Sequence, residues 1–380
     1  MGAWFVPLGP VLDGHGLAAI KPYAFATSAI AAFISPLIFG AMADRHFAPV
    51  VVLRWLAFAT ATAMVLAGVA IENNASPWII LACIQLHALC NAPTWGISSA
   101  IVLKRLSDPQ RQFGPVRSLG SIGWMVGCWV VSGLHADTST VACYAAAGIW
   151  LMVVALTYWL PRVAPPPSSG SLTISERLGW DALVLLRNPD HRVVFLTLAL
   201  FSIPLAAFYP YTPTQMQHLG LDRTSAWMTL GQTTEIVAML GLAAVMGRFR
   251  LKWIFAAGLA IGVLRYVLCA MDTRLAVLTG VMLHGFSFTL VFITGQIYLD
   301  QRIDPAWRVR AQALFSVMTS GFGNLIGYLS VGWWFWSSHQ AGEPDWPQFW
   351  GVLAAAIGAV TVFFLAAYRG AGAKPKAELA

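Results

Sequence analysis

The sequence predicts an all-α membrane protein made of two six-helix bundles, and three observations predict it. Apolar residues make up 58% and charged residues 10% of the 380-residue chain, whose mean hydropathy of +0.68 lies well outside the range of soluble globular proteins. Long apolar runs recur along the whole sequence. One hydrophilic segment near the middle divides those runs into two similar sets.

A membrane-spanning helix needs roughly 20 apolar residues to cover a ~30 Å hydrocarbon core. Runs that meet this requirement fall near 22–43, 49–71, 77–102, 117–135, 139–160, 191–211, 223–246, 251–271, 275–299, 307–337 and 347–368, which makes eleven spans. Ahead of them, "MGAWFVPLGPVL" rises only about 18 Å as a helix and is too short to cross alone. It reads as half a helix, which gives the expectation of twelve spans with the first truncated at its N-terminus. It lacks the basic start and small-residue cleavage site of a signal peptide.

Lys and Arg concentrate on alternate loops, for example at Arg54, Lys104, Arg105, Arg162, Arg248, Arg250, Arg308, Arg310 and the tail residues Lys374 and Lys376. Lys21, Arg223 and Arg274 are the few on the opposite side. Because positive residues accumulate on the cytoplasmic side, both termini are expected there, in a cytoplasmic (inner) membrane. The net charge of +7 is thereby a matter of topology, since no basic stripe suited to nucleic acid exists. Cys83, Cys90, Cys128, Cys143 and Cys269 sit in apolar runs without metal or redox spacing and read as small buried hydrophobes.

The segment "PRVAPPPSSGSLTISERLGWDALVLLRNPD" combines a Pro/Ser/Gly-rich linker with a short amphipathic helix candidate. The organisation is therefore an N-terminal bundle over 1–160, a cytoplasmic linker over 161–190, a C-terminal bundle over 191–368 and a tail over 369–380. Six plus six spans around a cytoplasmic loop is the architecture of the major facilitator fold, whose members bind substrate near the bilayer midplane. In "GAMADRH", Gly40, Asp44 and Arg45 have the G-x-x-x-D-R spacing of that superfamily's gating loop. The glycine permits close helix approach, and the Asp–Arg pair can lock one gate state.

"FGPVRSLGSIGW" at 113–124, "NAPTWG" at 91–96, "GQTTEIV" at 231–237 and "LHGFSFTLVFITGQIYLDQRIDPAWRVRAQALFSVMTSGFGNLIG" at 283–327 resemble the nucleoside:H+ symporter family of the major facilitator superfamily. The likeness runs over most of the chain. It implies a proton-coupled secondary active transporter that imports nucleosides by alternating access, with protons as the coupling ion, no other cofactor, no enzymatic activity, and function as a monomer.

Arg117, Ser121 and Trp124 are spaced to share one helix face. An arginine at the edge of an apolar run is costly unless it meets a partner or a wet cavity, although snorkelling to lipid phosphate is an alternative. The resemblance assigns Arg117 to the substrate site. Glu235 is the acidic residue set well inside a span, with Gln232 one turn before it on the same face. An intramembrane carboxylate can load and release a proton, the alternative being a static ion pair with Arg117 or Arg265. The family assigns Gln232 and Glu235 to substrate binding and makes Glu235 the proton-coupling residue.

His284 and Phe288 lie one turn apart, where rings can stack on a base or simply pack helices. The family carries a phenol at the position of His284, so this chain departs there and adds a group with its own titration. In "IPLAAFYPYTPTQ" at 203–215 the family's amides are absent, and Pro204, Pro210 and Pro213 threaten the helix. His87, Asn91 and Thr94 suggest an interhelical hydrogen-bond network, and Arg265 a structural contact.

Two rivals stand beside the symporter reading. One is a carrier of the same fold for another polar solute such as a sugar. The other is a membrane enzyme, against which no HExxH, GxSxG or paired carboxylates are found, and no P-loop points to ATP as the driving force.

Overall fold

The computed structural model describes residues 1–43, 48–103, 105–107, 109–160, 173, 175 and 178–370, with the side chains of 36–43, 100, 109–115, 117 and 118 outside that description. The helices are α1 (Gly2–Phe5), α2 (Leu8–Gly14), α3 (Lys21–Ala43), α4 (Pro49–Glu72), α5 (Pro77–Leu103), α6 (Pro109–Gly133), α7 (Val141–Leu156), α8 (Pro189–Leu205) and α9 (Phe208–His218). They continue as α10 (Thr224–Arg248), α11 (Leu251–Ala270), α12 (Arg274–Phe288), α13 (Thr294–Arg302), α14 (Arg308–Ser316), α15 (Asn324–Ser337) and α16 (Trp346–Ala367). The only strands among the described residues are β1 (His339–Gln340) and β2 (Glu343–Pro344), an antiparallel hairpin with His339 opposite Pro344.

Every predicted span falls on a helix. Among the described residues, eight helices are long and apolar enough to cross a membrane, and Leu119–Gly133 and Val141–Leu156 are shorter apolar helical stretches. The amphipathic candidate in the linker appears as a 3₁₀ helix at Trp180–Arg187. Local chemistry sets several boundaries. Pro49 opens α4, the Thr273 hydroxyl accepts from the Ala276 N–H at the start of α12, and Asp345 accepts from the Gln348 N–H at the start of α16. The prolines of 203–215 do interrupt the chain, since α8 ends at Leu205 and α9 starts at Phe208. Pro210 has no N–H to offer the Ala206 carbonyl, and the Tyr266 hydroxyl donates to the Pro204 carbonyl at 2.9 Å.

Contacts divide the chain into two compact units, Met1–Leu172 with Ala206–Gln232 and Tyr328–Trp333, and Thr173–Leu205 with Thr233–Gly327 and Trp334–Ala380. In the first unit α4 lies along α5 and α7, and α5 along α3. Val50, Leu53 and Leu56 of α4 form an apolar seam with Cys90, Ile97 and Ile101 of α5. Tyr328–Trp333 approaches α3 so closely that a Cβ on Gly332 would lie 2.2 Å from Pro22 Cγ.

Polar contacts hold Ala206–Gln232 in this unit. Lys21, 1% exposed, donates to Asp13 Oδ2 at 2.5 Å and to Thr214 Oγ1 at 3.0 Å, while the Thr214 hydroxyl donates to the same carboxylate at 2.8 Å. The triad joins α2, α3 and α9. Farther along, the buried Asp137 on the α6–α7 loop accepts from the Ser225 N–H at 2.7 Å and from the Ser132 hydroxyl at 3.1 Å. Ser132 in turn accepts from the Ala226 N–H at 3.0 Å, a donor it shares with the Arg223 carbonyl, so the first N–H groups of α10 are met by Asp137 and Ser132. Asp137→Ala is expected to lower stability by about 1 to 2 kcal/mol and Asp137→Asn, which keeps an acceptor, by much less. Thermal unfolding of the detergent-solubilised variants checks this.

In the second unit α11 packs against α12 and α16. Tyr266 and Trp350 pack at a tilt of 42° with ring centroids 4.9 Å apart, and Lys252 donates to the Leu365 and Tyr368 carbonyls at the end of α16. π-helical turns at Thr289–Ile293 and Val317–Gly323 follow α12 and α14. Such turns widen a helix locally and recur at functional positions.

Candidate functional site

The first unit gathers three aromatic rings from three helices. Trp124 on α6 lies 6.3 Å from Phe5 on α1 and 5.8 Å from Tyr209 on α9, and Phe5 and Tyr209 meet edge to face at 5.2 Å. All three are half-buried, so none of the rings is spent entirely on the core. The indole N–H of Trp124 has no hydrogen-bond partner among the described residues, which leaves a donor within the ring cluster. Gln232 is buried and its amide N–H₂ reaches the Tyr209 hydroxyl at 3.4 Å, so two predicted binding residues, Trp124 and Gln232, join one group. Ser121 is half-buried on α6, one turn before Trp124. Arg117 belongs to α6, but its side chain lies outside the described residues.

Phe5 and Trp124 also line a cavity of about 670 Å³ together with Trp4, His87, Asn91 and Thr94. The expected network on α5 forms in part, since the Asn91 amide donates to Met1 Sδ at 3.0 Å. The Thr94 hydroxyl donates to the Asn91 carbonyl of its own helix at 2.6 Å, and the His87 ring meets the edge of Trp4 at 6.0 Å. Asp44 and Arg45 lie outside the described residues, and Gly40 is near the end of α3.

In the second unit, Glu235 is half-buried on α10. That helix has 25 residues, and Glu235 sits about 16 Å along its roughly 37 Å length, which is mid-span depth. The neighbouring Thr234 hydroxyl ties α10 to α12 through the Met282 carbonyl at 2.5 Å. His284 and Phe288 share a face of α12, with ring centroids 5.9 Å apart. Phe292 continues the row at 5.1 Å but is buried against Phe201 and Phe315, so its part is packing. His284 is itself buried, and its Nδ1 meets Nη1 of Arg265 at 2.7 Å.

Sequence reasoning missed Phe5, because one phenylalanine in a short apolar run carries no signal of its own. It left α9 unassigned because the prolines blurred the register, and in the structure Tyr209 of that helix meets Phe5 and Trp124.

A predominantly helical chain with these spans has the major facilitator fold, which two solved structures bear out. The crystal structure of the nucleoside transporter NupG matches with a TM-score of 0.85 at 23% identity, covering 97% of this chain and 95% of that one. The POT family transporter PepTSo matches with a TM-score of 0.70 at 12% identity, covering 97% of this chain and 98% of that one. The chain belongs to the Nucleoside H+ symporter family, whose sequence profile matches residues 1–372. Among curated relatives, YegT of Escherichia coli (strain K12) is 31% identical over 97% of this chain and 90% of its own length. The xanthosine permease of the same organism is 25% identical over 96% of this chain and 91% of its own length.

Proposed function

We propose that this protein imports nucleosides with protons across the cytoplasmic membrane by alternating access, with both termini on the cytoplasmic side. The observation that carries the substrate assignment is the group formed by Phe5, Trp124, Tyr209 and Gln232. Rings suit a nucleobase, and the indole N–H, which has no partner among the described residues, suits with the Gln232 amide its polar edge or the sugar hydroxyls. Arg117, Ser121, His284 and Phe288 complete the binding set in this reading. Glu235 carries the proton, because a carboxylate at mid-span depth is neutral or charged according to its surroundings. Gly40, Asp44 and Arg45 serve the cytoplasmic gate.

The test is uptake of labelled uridine and adenosine into proteoliposomes under an inward proton gradient, with competition by unlabelled nucleosides and by hexoses. Nucleosides are expected to compete and sugars to leave uptake unchanged. Trp124→Ala is expected to weaken nucleoside affinity by about tenfold, since base–aromatic stacking contributes roughly 1 to 3 kcal/mol. Competition by sugars alone would move the assignment to another polar solute.

A further inference from the structure

We propose that Arg265 is a positioning residue for His284. It holds the ring in the neutral form with its proton on Nε2, so that His284 donates to substrate and takes no part in carrying the coupled proton.

The argument starts from hydrogen-bond inventory. Arg265 on α11 and His284 on α12 are 1% and 3% exposed, and Nη1 of one lies 2.7 Å from Nδ1 of the other. A guanidinium keeps its proton in proteins and offers donors only. Nδ1 must therefore present its lone pair, and the single ring proton of a neutral imidazole is left on Nε2. The tautomer follows from the partner rather than from a choice between equivalent assignments.

Packing keeps the pair in this arrangement. The guanidinium lies over the Tyr266 ring at 4.6 Å. Helices α11 and α12 come close at Gly280, where a Cβ would lie 2.8 Å from the Arg265 carbonyl oxygen. Protonating Nδ1 would set one N–H against another and place two like charges in contact in a buried position. Arg265 is a charged group in direct contact with His284. On the same helix α11 also carries Tyr266 and Cys269, and α10, which reaches α12 through Thr234 and the Met282 carbonyl, brings Glu235.

Two consequences follow, and the first rests on the reading of His284 as a substrate contact. The group of the substrate that meets His284 must be an acceptor, namely a base carbonyl, a ring nitrogen or a sugar oxygen. A phenol at that position both donates and accepts, so this chain has narrowed the requirement. The second consequence concerns stoichiometry, because histidine adds no second proton carrier beside Glu235.

The experiment has two arms. The ¹⁵N shifts of the His284 ring in detergent-solubilised protein, identified by their loss in His284→Gln, report the tautomer without any substrate. The expected pattern is an unprotonated Nδ1 and a protonated Nε2 from pH 5.5 to 8, and a doubly protonated ring within that range would overturn the inference. In the second arm, uridine and adenosine affinity is measured over the same pH range in a Glu235→Gln background. With Arg265 present the profile is expected to be flat. Arg265→Met is expected to introduce an acidic limb of at least threefold, Arg265→Lys to suppress it, and addition of His284→Gln to Arg265→Met to abolish it. An Arg265→Met profile as flat as its parent would also overturn the inference. If Arg265→Met does not fold, the ¹⁵N pattern and the Arg265→Lys profile decide. If no nucleoside binds while the ¹⁵N pattern is as expected, the substrate reading fails and the tautomer assignment stands.

Discussion

Glu235→Gln is expected to bind nucleosides and exchange them across a membrane while losing accumulation driven by a proton gradient. The carboxylate sits midway along α10, one turn beyond Gln232, whose amide belongs to the ring cluster of Trp124, Phe5 and Tyr209. In the proposed reading a proton that arrives on Glu235 changes a charge one turn along the same helix from Gln232, and by linkage each ligand then alters the affinity for the other. Glutamine keeps the shape and hydrogen-bonding capacity of a protonated glutamic acid but has no proton to release. The loaded form therefore still reorients, yet reorientation is uncoupled from the gradient. For one proton per nucleoside, a gradient of one pH unit supports roughly tenfold accumulation, because about 1.4 kcal/mol corresponds to a factor of ten. The wild-type protein is expected to approach that ratio in sealed proteoliposomes and the variant to stop near unity. Concentrative uptake by Glu235→Gln at the wild-type level would remove Glu235 from proton coupling.

Periodicity and length made the span pattern legible, because a bilayer imposes a nearly fixed apolar length on every crossing. Predicted and observed helices accordingly agree to within a few residues over most of the chain, as at 49–71 against Pro49–Glu72. The greatest divergence is at α6, predicted from 117 and observed from Pro109. There the helix continues through the polar residues Gln110, Arg111 and Gln112, which a hydropathy criterion cannot include. The site was legible only in part. Trp124 and Gln232 lie within recognisable motifs, but Phe5 and Tyr209 join them only through tertiary packing. Arg265 read as structural because spacing along one helix says nothing about which residue of the next helix it meets. Lys21, at the very start of α3, read as a loop charge, yet it is among the most buried side chains of the protein.

That burial supports the second large effect, on stability. Lys21→Met is expected to destabilise the protein by about 3 kcal/mol, and Lys21→Met combined with Asp13→Asn to recover most of the loss. Removing one partner of a buried ion pair typically costs about 3 to 5 kcal/mol, because the remaining charge has lost its compensation. The lower end applies here. The Asp13 side chain keeps 23% of its surface exposed and still accepts from the Thr214 hydroxyl at 2.8 Å, so it is not wholly abandoned. Methionine follows the course of the lysine stem and leaves little void beside Tyr211, whose ring the ammonium faces at 5.2 Å. In the double variant the amide of asparagine keeps an acceptor for Thr214 and removes the stranded charge. A neutral pair in an apolar setting is then close to the ionic one in stability, since desolvating two charges offsets much of their attraction. Unfolding of the purified single and double variants under one set of conditions gives the coupling energy directly. A double variant as unstable as Lys21→Met alone would show that the stem and ammonium of Lys21 contribute through packing and Tyr211, and not through Asp13.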